Sequence, residues 1–117
     1  MKSLFFPALA LALAGAGVVP ACAEEAQEVG AGRKLALEVC ASCHVVAPDQ
    51  ARAPVLNPPA LSFAEIAARP DVSDASLRRF LAEPHGDPRR MSGMPAFLLP
   101  PSQVEAAVAY LLSLKPK

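Results

Sequence analysis

Apolar residues recur at helical spacing in four parts of this chain, and proline interrupts the stretches between them. Val29, Gly32, Ala36 and Val39 share one face, with Arg33, Lys34 and Glu38 elsewhere, which predicts a first helix from about Glu25 to Val39. Gly30 and Gly32 each lower its intrinsic propensity by about 1 kcal/mol relative to alanine. They mark either a place where another helix comes close or a weak start to the helix. Ser62-Phe63-Ala64-Glu65 matches a capping box and opens a short helix with Phe63, Ile66 and Ala67 inward, which must stop near Pro70. Ser73 or Asp74 caps a third helix reaching about Glu83, with Leu77, Phe80 and Leu81 as its stripe and Pro84 as its stop. In the last helix Pro101 leads in and Ser102-Gln103-Val104-Glu105 reads as a second capping box. Val104, Ala107, Val108, Leu111 and Leu112 make its continuous stripe, and Lys115 suits the negative pole at its end. No stretch alternates with the period of a strand, so the fold class is all-α: short helices joined by extended, proline-rich loops.

A length of 117 residues allows one small domain, and the balance of 11 basic against 11 acidic side chains gives no footing for a nucleic-acid partner. The N-terminus changes the picture. Lys2 precedes an uncharged apolar run over residues 4–19, Pro20 breaks it, and Ala21-Cys22-Ala23 fits a small-x-small cleavage site ahead of Glu24-Glu25. Residues 1–23 are thus expected to be a signal peptide and 24–117 the mature, periplasmic domain. An uncleaved anchor, or lipidation of Cys22 within Val19-Pro20-Ala21-Cys22, stays open; membrane association is expected only in those two cases.

The chemistry centres on Cys40-Ala41-Ser42-Cys43-His44, which has the C-x-x-C-H form of a c-type haem attachment site. Two thiols three residues apart each form a thioether to one porphyrin vinyl group, and the adjacent imidazole reaches the iron as an axial ligand. The pentad occurs once, so one haem c is expected. A thioredoxin-like dithiol needs a βαβ surround that the pattern lacks. A zinc site needs about four ligands, and the mature chain outside the pentad offers only His85 as a further nitrogen or sulfur donor of the usual kind. A Cys40–Cys43 disulfide would leave His44 unexplained. For the opposite face of the iron the candidates are Met94, Met91 and His85. Met94 stands before Pro95, whose fixed backbone angle helps hold the preceding residue extended. A methionine taken alone is more often core filling.

The pentad near the start of the mature chain, Met94-Pro95-Ala96-Phe97 late in it, and a final helix bearing Ala109-Tyr110-Leu111 together resemble a class I bacterial cytochrome c. The resemblance covers residues 30–114. It implies a small helical bundle wrapped around one covalently attached haem, with the iron between His44 and Met94. It also implies a close crossing of the first and last helices at Gly32 and Tyr110, although Ala36 stands where the family usually has an aromatic. A proline carbonyl that accepts a hydrogen bond from the haem histidine is placed at Pro59. The implied job is one-electron transfer, without enzymatic activity, between redox partners such as a dehydrogenase, an oxidase or a respiratory complex. The pairs Arg78-Arg79 and Arg89-Arg90 either ring the docking edge or are merely solvated. Two other readings remain at this point: a fixed cytochrome subunit of a dehydrogenase complex, and a haem enzyme or gas-binding protein if Met94 is not a ligand.

Overall fold

A computed structural model of the chain describes residues 17, 20–83, 94–95 and 98–117. The apolar run at 4–19 therefore lies almost wholly outside the described residues, as do His85, Arg89, Arg90 and Met91. Helix α1 spans Ala21–Leu35, starting four residues ahead of the expected Glu25. Pro20, extended at φ −64° and ψ 136°, marks the boundary, and its carbonyl accepts the Ala23 N–H at 2.8 Å. The helix continues into one wide π-type turn, Ala36–Cys40, closed where the Ala41 N–H reaches back five residues to the Ala36 carbonyl at 3.0 Å. Helices α2 (Phe63–Ala68), α3 (Asp74–Ala82) and α4 (Pro101–Ser113) follow. Among the described residues the only strand-like pairing is a single parallel bridge between His44 and Ala60.

Two helix starts obey the expected capping chemistry. Ser62 Oγ accepts the Glu65 N–H at 3.2 Å, and the Glu65 carboxylate accepts the Ser62 N–H at 2.7 Å. Ser73 and Ser76 exchange the same pair of bonds at the start of α3. The expected box at Ser102 is not formed, because α4 begins two residues earlier than a cap there would set it. Pro100 is its cap and Pro101 occupies the first helical position, where a missing N–H costs nothing and the fixed φ already suits a helix. Glu105, freed from capping, pairs instead with Arg78 of α3, which also holds Asp74. Lys115 likewise serves another purpose than expected: its ammonium donates to the Val72 carbonyl at 2.6 Å, tying the end of the chain to the loop before α3.

The core forms where α1 crosses α4. A Cβ built on Gly32 would fall on the Ala106 carbonyl oxygen and 2.7 Å from the Tyr110 Cβ, so the two backbones touch at this point. A Cβ on Gly30 would meet nothing within 4 Å, which separates the two glycines: one permits the crossing, the other only weakens its helix. Ala36 is 2 % exposed beside this contact; the absence of an aromatic there leaves a small residue packed in the core. Val104, Val108, Tyr110 and Leu111 of α4 pack with Phe63 and Leu77 of the shorter helices. The loop after the pentad is drawn onto this core, with Val46 and Ala47 buried and the Tyr110 hydroxyl donating to the Val46 carbonyl at 2.7 Å. Outside it, Arg33 reaches both Asp49 oxygens at 2.7 Å. Among the described residues no helix is long and apolar enough to cross a membrane.

Gly32→Ala is expected to lower the unfolding free energy of the haem-loaded protein by about 1–3 kcal/mol, because neither helix backbone can give way without opening the core. Gly30→Ala should be neutral or stabilising by up to about 1 kcal/mol; urea unfolding of the two variants checks the contrast. The hydrogen bond from Arg33 holds the Asp49 carboxyl below the usual carboxylate range. A pKa depressed in the folded state stabilises above the unfolded pKa and loses that contribution as pH falls through the folded one. Acidification below about pH 4 should therefore destabilise the wild type more steeply than Asp49→Asn, as read by thermal unfolding across pH.

Candidate functional site

The wide turn ends on Cys40, and the chain then folds tightly: the Cys43 N–H and the His44 N–H both reach the Cys40 carbonyl, at 3.1 and 3.0 Å. That turn brings Cys40, Cys43 and His44 to the wall of one cleft of about 510 Å³, with Ile66 of α2, Leu77 of α3 and Met94 on its other sides. A narrower recess of about 80 Å³ continues inward between Leu35, Ala36, Phe63, Ala107 and Leu111. Met94 and Leu99, leading into α4, also line this recess. Met94 is half-buried. The structure thus gathers four of the sequence-predicted site residues, Cys40, Cys43, His44 and Met94, around one cavity. Their rivals Met91 and His85 lie outside the described residues.

The fifth expectation is corrected. His44 Nδ1 hydrogen-bonds the carbonyl of Leu61 at 2.6 Å, not that of Pro59. The reason is register. The Ala60 N–H donates to the Cys43 carbonyl at 2.9 Å and the Phe63 N–H to the Val45 carbonyl at 2.9 Å, so the segment opposite His44 is the one centred on Leu61. Pro59 sits two residues upstream, just after the cis Asn57–Pro58 bond. A carbonyl can only accept, so Nδ1 carries the hydrogen and Nε2 keeps its lone pair. A backbone acceptor of this kind orients the ring and raises its basicity as a ligand. Nothing in the side chain of Leu61 signals this role; only the pairing of residues 43–45 with 60–63 reveals it.

The thiols tell against a dithiol redox pair. Cys22, Cys40 and Cys43 are all free. Burial, with a smaller contribution from Cys43, pushes the Cys40 thiol up to about 11. A thiol-exchange nucleophile needs the opposite shift, toward a stable thiolate. Among the described residues there is also no cluster of three or more side chains able to hold a metal ion. The same donors suit haem well. The cleft has a volume typical of cofactor sites. It is walled mostly by apolar side chains, with two thiols, an imidazole nitrogen with a free lone pair and a thioether on its surface.

A helical domain that brings two thiols, an imidazole and a thioether to one largely apolar cleft belongs to the class of covalent haem proteins. Comparison with known proteins makes the assignment specific. The family model for cytochrome c matches residues 29–115. The chain is also 44% identical over 91 residues to cytochrome c-552 of Bradyrhizobium diazoefficiens, a match that covers 78% of this chain and 79% of that protein. This chain belongs to the cytochrome c family, as a class I, monohaem c-type cytochrome. No solved structure matches it. As the family implies, it is an electron-transfer protein carrying one covalently attached haem c, and Cys40 and Cys43 fit the attachment motif.

The purified protein should therefore carry the mass of one haem, retained after acid-acetone extraction. Replacing one anchor, as in Cys43→Ala, leaves one vinyl group conjugated with the ring, so the pyridine adduct should absorb at longer wavelength. Cys22→Ser should leave both readings unchanged.

Proposed function

We propose that this protein is a periplasmic one-electron carrier in which Cys40 and Cys43 hold the haem and His44 and Met94 hold its iron. The supporting observation is the shared cleft: Met94 lines the same cavity as Cys40 and His44, although it lies 50 residues beyond His44 in the chain. The haem iron supplies the reversible one-electron couple. The Leu61 carbonyl keeps His44 Nε2 available as donor, and the soft thioether of Met94 favours the ferrous state and a raised potential. With His44 and Met94 both holding the iron, no open position would remain for a substrate, which favours a carrier over a haem enzyme or a gas-binding protein. Apolar side chains around the inner recess keep that part of the site dry, which limits solvent reorganisation when the charge changes.

Docking is expected to be small and transient, as weak redox encounters are. Arg78 contributes little to it, because its guanidinium is engaged by Asp74 and Glu105. Arg79 is the exposed member of that pair. Residues 1–23 act as the export signal in this reading, and the mature domain 24–117 is released to the periplasm; Cys22, exposed in the first turn of α1, is removed with the signal.

Met94→Ala should abolish the sulfur-to-iron charge-transfer band of the oxidised protein, admit carbon monoxide to the reduced protein, and lower the potential by on the order of 0.1 V within the ~0.8 V that axial ligands span. Met91→Ala should change none of these. Loss of the band in Met91→Ala with its retention in Met94→Ala would transfer the ligand role to Met91.

A further inference from the structure

Phe63, the first residue of α2, is 6 % exposed and is not one of the iron's expected ligands. Its ring stands edge-on to the His44 imidazole, with centroids 5.6 Å apart and planes at 63°. The same ring lies 6.2 Å from that of Tyr110, tilted by 46°. Tyr110 is itself fixed twice, by its hydroxyl on the Val46 carbonyl and by its Cβ against Gly32 at the α1–α4 crossing. A line of contact thus runs from the helix crossing, through two aromatic rings, to the imidazole.

The hydrogen bond from His44 Nδ1 to the Leu61 carbonyl fixes one point of the imidazole. It leaves the ring free to swing about the direction of that bond. A second ring packed at a steep angle removes this freedom, and aromatic rings prefer such edge-to-face placement because their quadrupoles make it directional. Phe63 is itself well placed to do this. Its N–H is held by the Val45 carbonyl at 2.9 Å, and the Ser62–Glu65 capping box fixes the backbone on which it stands.

We propose that Phe63 is a positioning residue for His44: it sets the plane of the imidazole and, through Tyr110, ties that plane to the crossing of α1 and α4. The proposal rests on the reading that His44 binds the haem iron, and it concerns how the ligand is aimed. The orientation of an axial imidazole governs the splitting of the iron d orbitals, so it is read in the g values of the oxidised haem protein as well as in its midpoint potential.

The test compares the haem-loaded wild type with Phe63→Leu, Tyr110→Leu, Tyr110→Phe and Val108→Ala, using low-temperature electron paramagnetic resonance, potentiometry and urea unfolding. Val108 is 1 % exposed on α4 and does not line the cleft, so its truncation lowers stability without touching His44. Phe63→Leu should displace the largest g value and shift the potential. Tyr110→Leu should displace the g value in the same sense by less, and it carries the test alone if Phe63→Leu yields no haem-loaded protein. Tyr110→Phe keeps both rings; it and Val108→Ala should lose stability with wild-type g values. Wild-type g values in Phe63→Leu or, where that variant fails, in Tyr110→Leu overturn the proposal. So does an equal displacement in Val108→Ala. A wild-type low-spin spectrum in haem-loaded His44→Ala would refute His44 ligation itself, independently of the Phe63 and Tyr110 variants.

Discussion

The contact of Gly32 with the backbone of α4 is the constraint on which the remaining structure depends. A side chain of any size at that position would hold the helices apart, and the residues that line the inner recess come from both of them: Leu35 and Ala36 from the first, Ala107 and Leu111 from the last. The width of the recess is therefore set by the closeness of the crossing. The same approach places Tyr110 where its hydroxyl reaches the Val46 carbonyl, which draws the loop after the pentad onto the core. One absent methyl group thus governs both the cavity and the seating of the segment that carries the imidazole.

Electrostatic contacts act around this frame and not within it. No polar or charged residue is buried among the described residues, and the ion pairs lie at the surface, where each contributes little. Their value is geometric. Arg33–Asp49 joins α1 to the loop after His44, and Arg78 joins α3 to α4 through Glu105. Each connects elements that bound the cleft from different sides. The inner recess is left to apolar side chains and the few donor atoms that its chemistry uses, while Arg69, Asp71 and Ser76 stand on the wall of the wider cleft.

Much of this was legible in the sequence, for identifiable reasons. Helical periodicity places α2, α3 and α4 because each buries a single stripe, and the Ser62 and Ser73 caps follow from local hydrogen-bonding groups at fixed offsets. The pentad announces its chemistry because two thiols and an imidazole must lie within one turn to do it. The misplaced details share a different cause. The acceptor for His44 is a backbone carbonyl, which every residue possesses, so the family resemblance pointed to a proline while strand-like pairing selected Leu61. Ser102 had the composition of a cap, yet Pro101 before it had already started the helix. Gly30 and Gly32 are equivalent in propensity and differ only in which side of the helix faces α4. In each case the deciding fact is a contact between distant parts of the chain, which local pattern does not encode.

The bonds around His44 differ from those around Met94 in how far they reach along the chain. The pentad turn, the Ala60–Cys43 and Phe63–Val45 bonds and the bond from His44 to Leu61 all close within residues 40–63. Short loops of this kind cost little entropy to close. Met94 joins the cavity from a stretch some 50 residues beyond His44, with α2 and α3 in between. The two walls of the cleft thus differ in kind: one is a self-contained local unit, and the other is brought in from a distant stretch of the chain. A change at Met94 can therefore remodel one wall of the cleft while the bonds that hold the pentad stay closed among themselves.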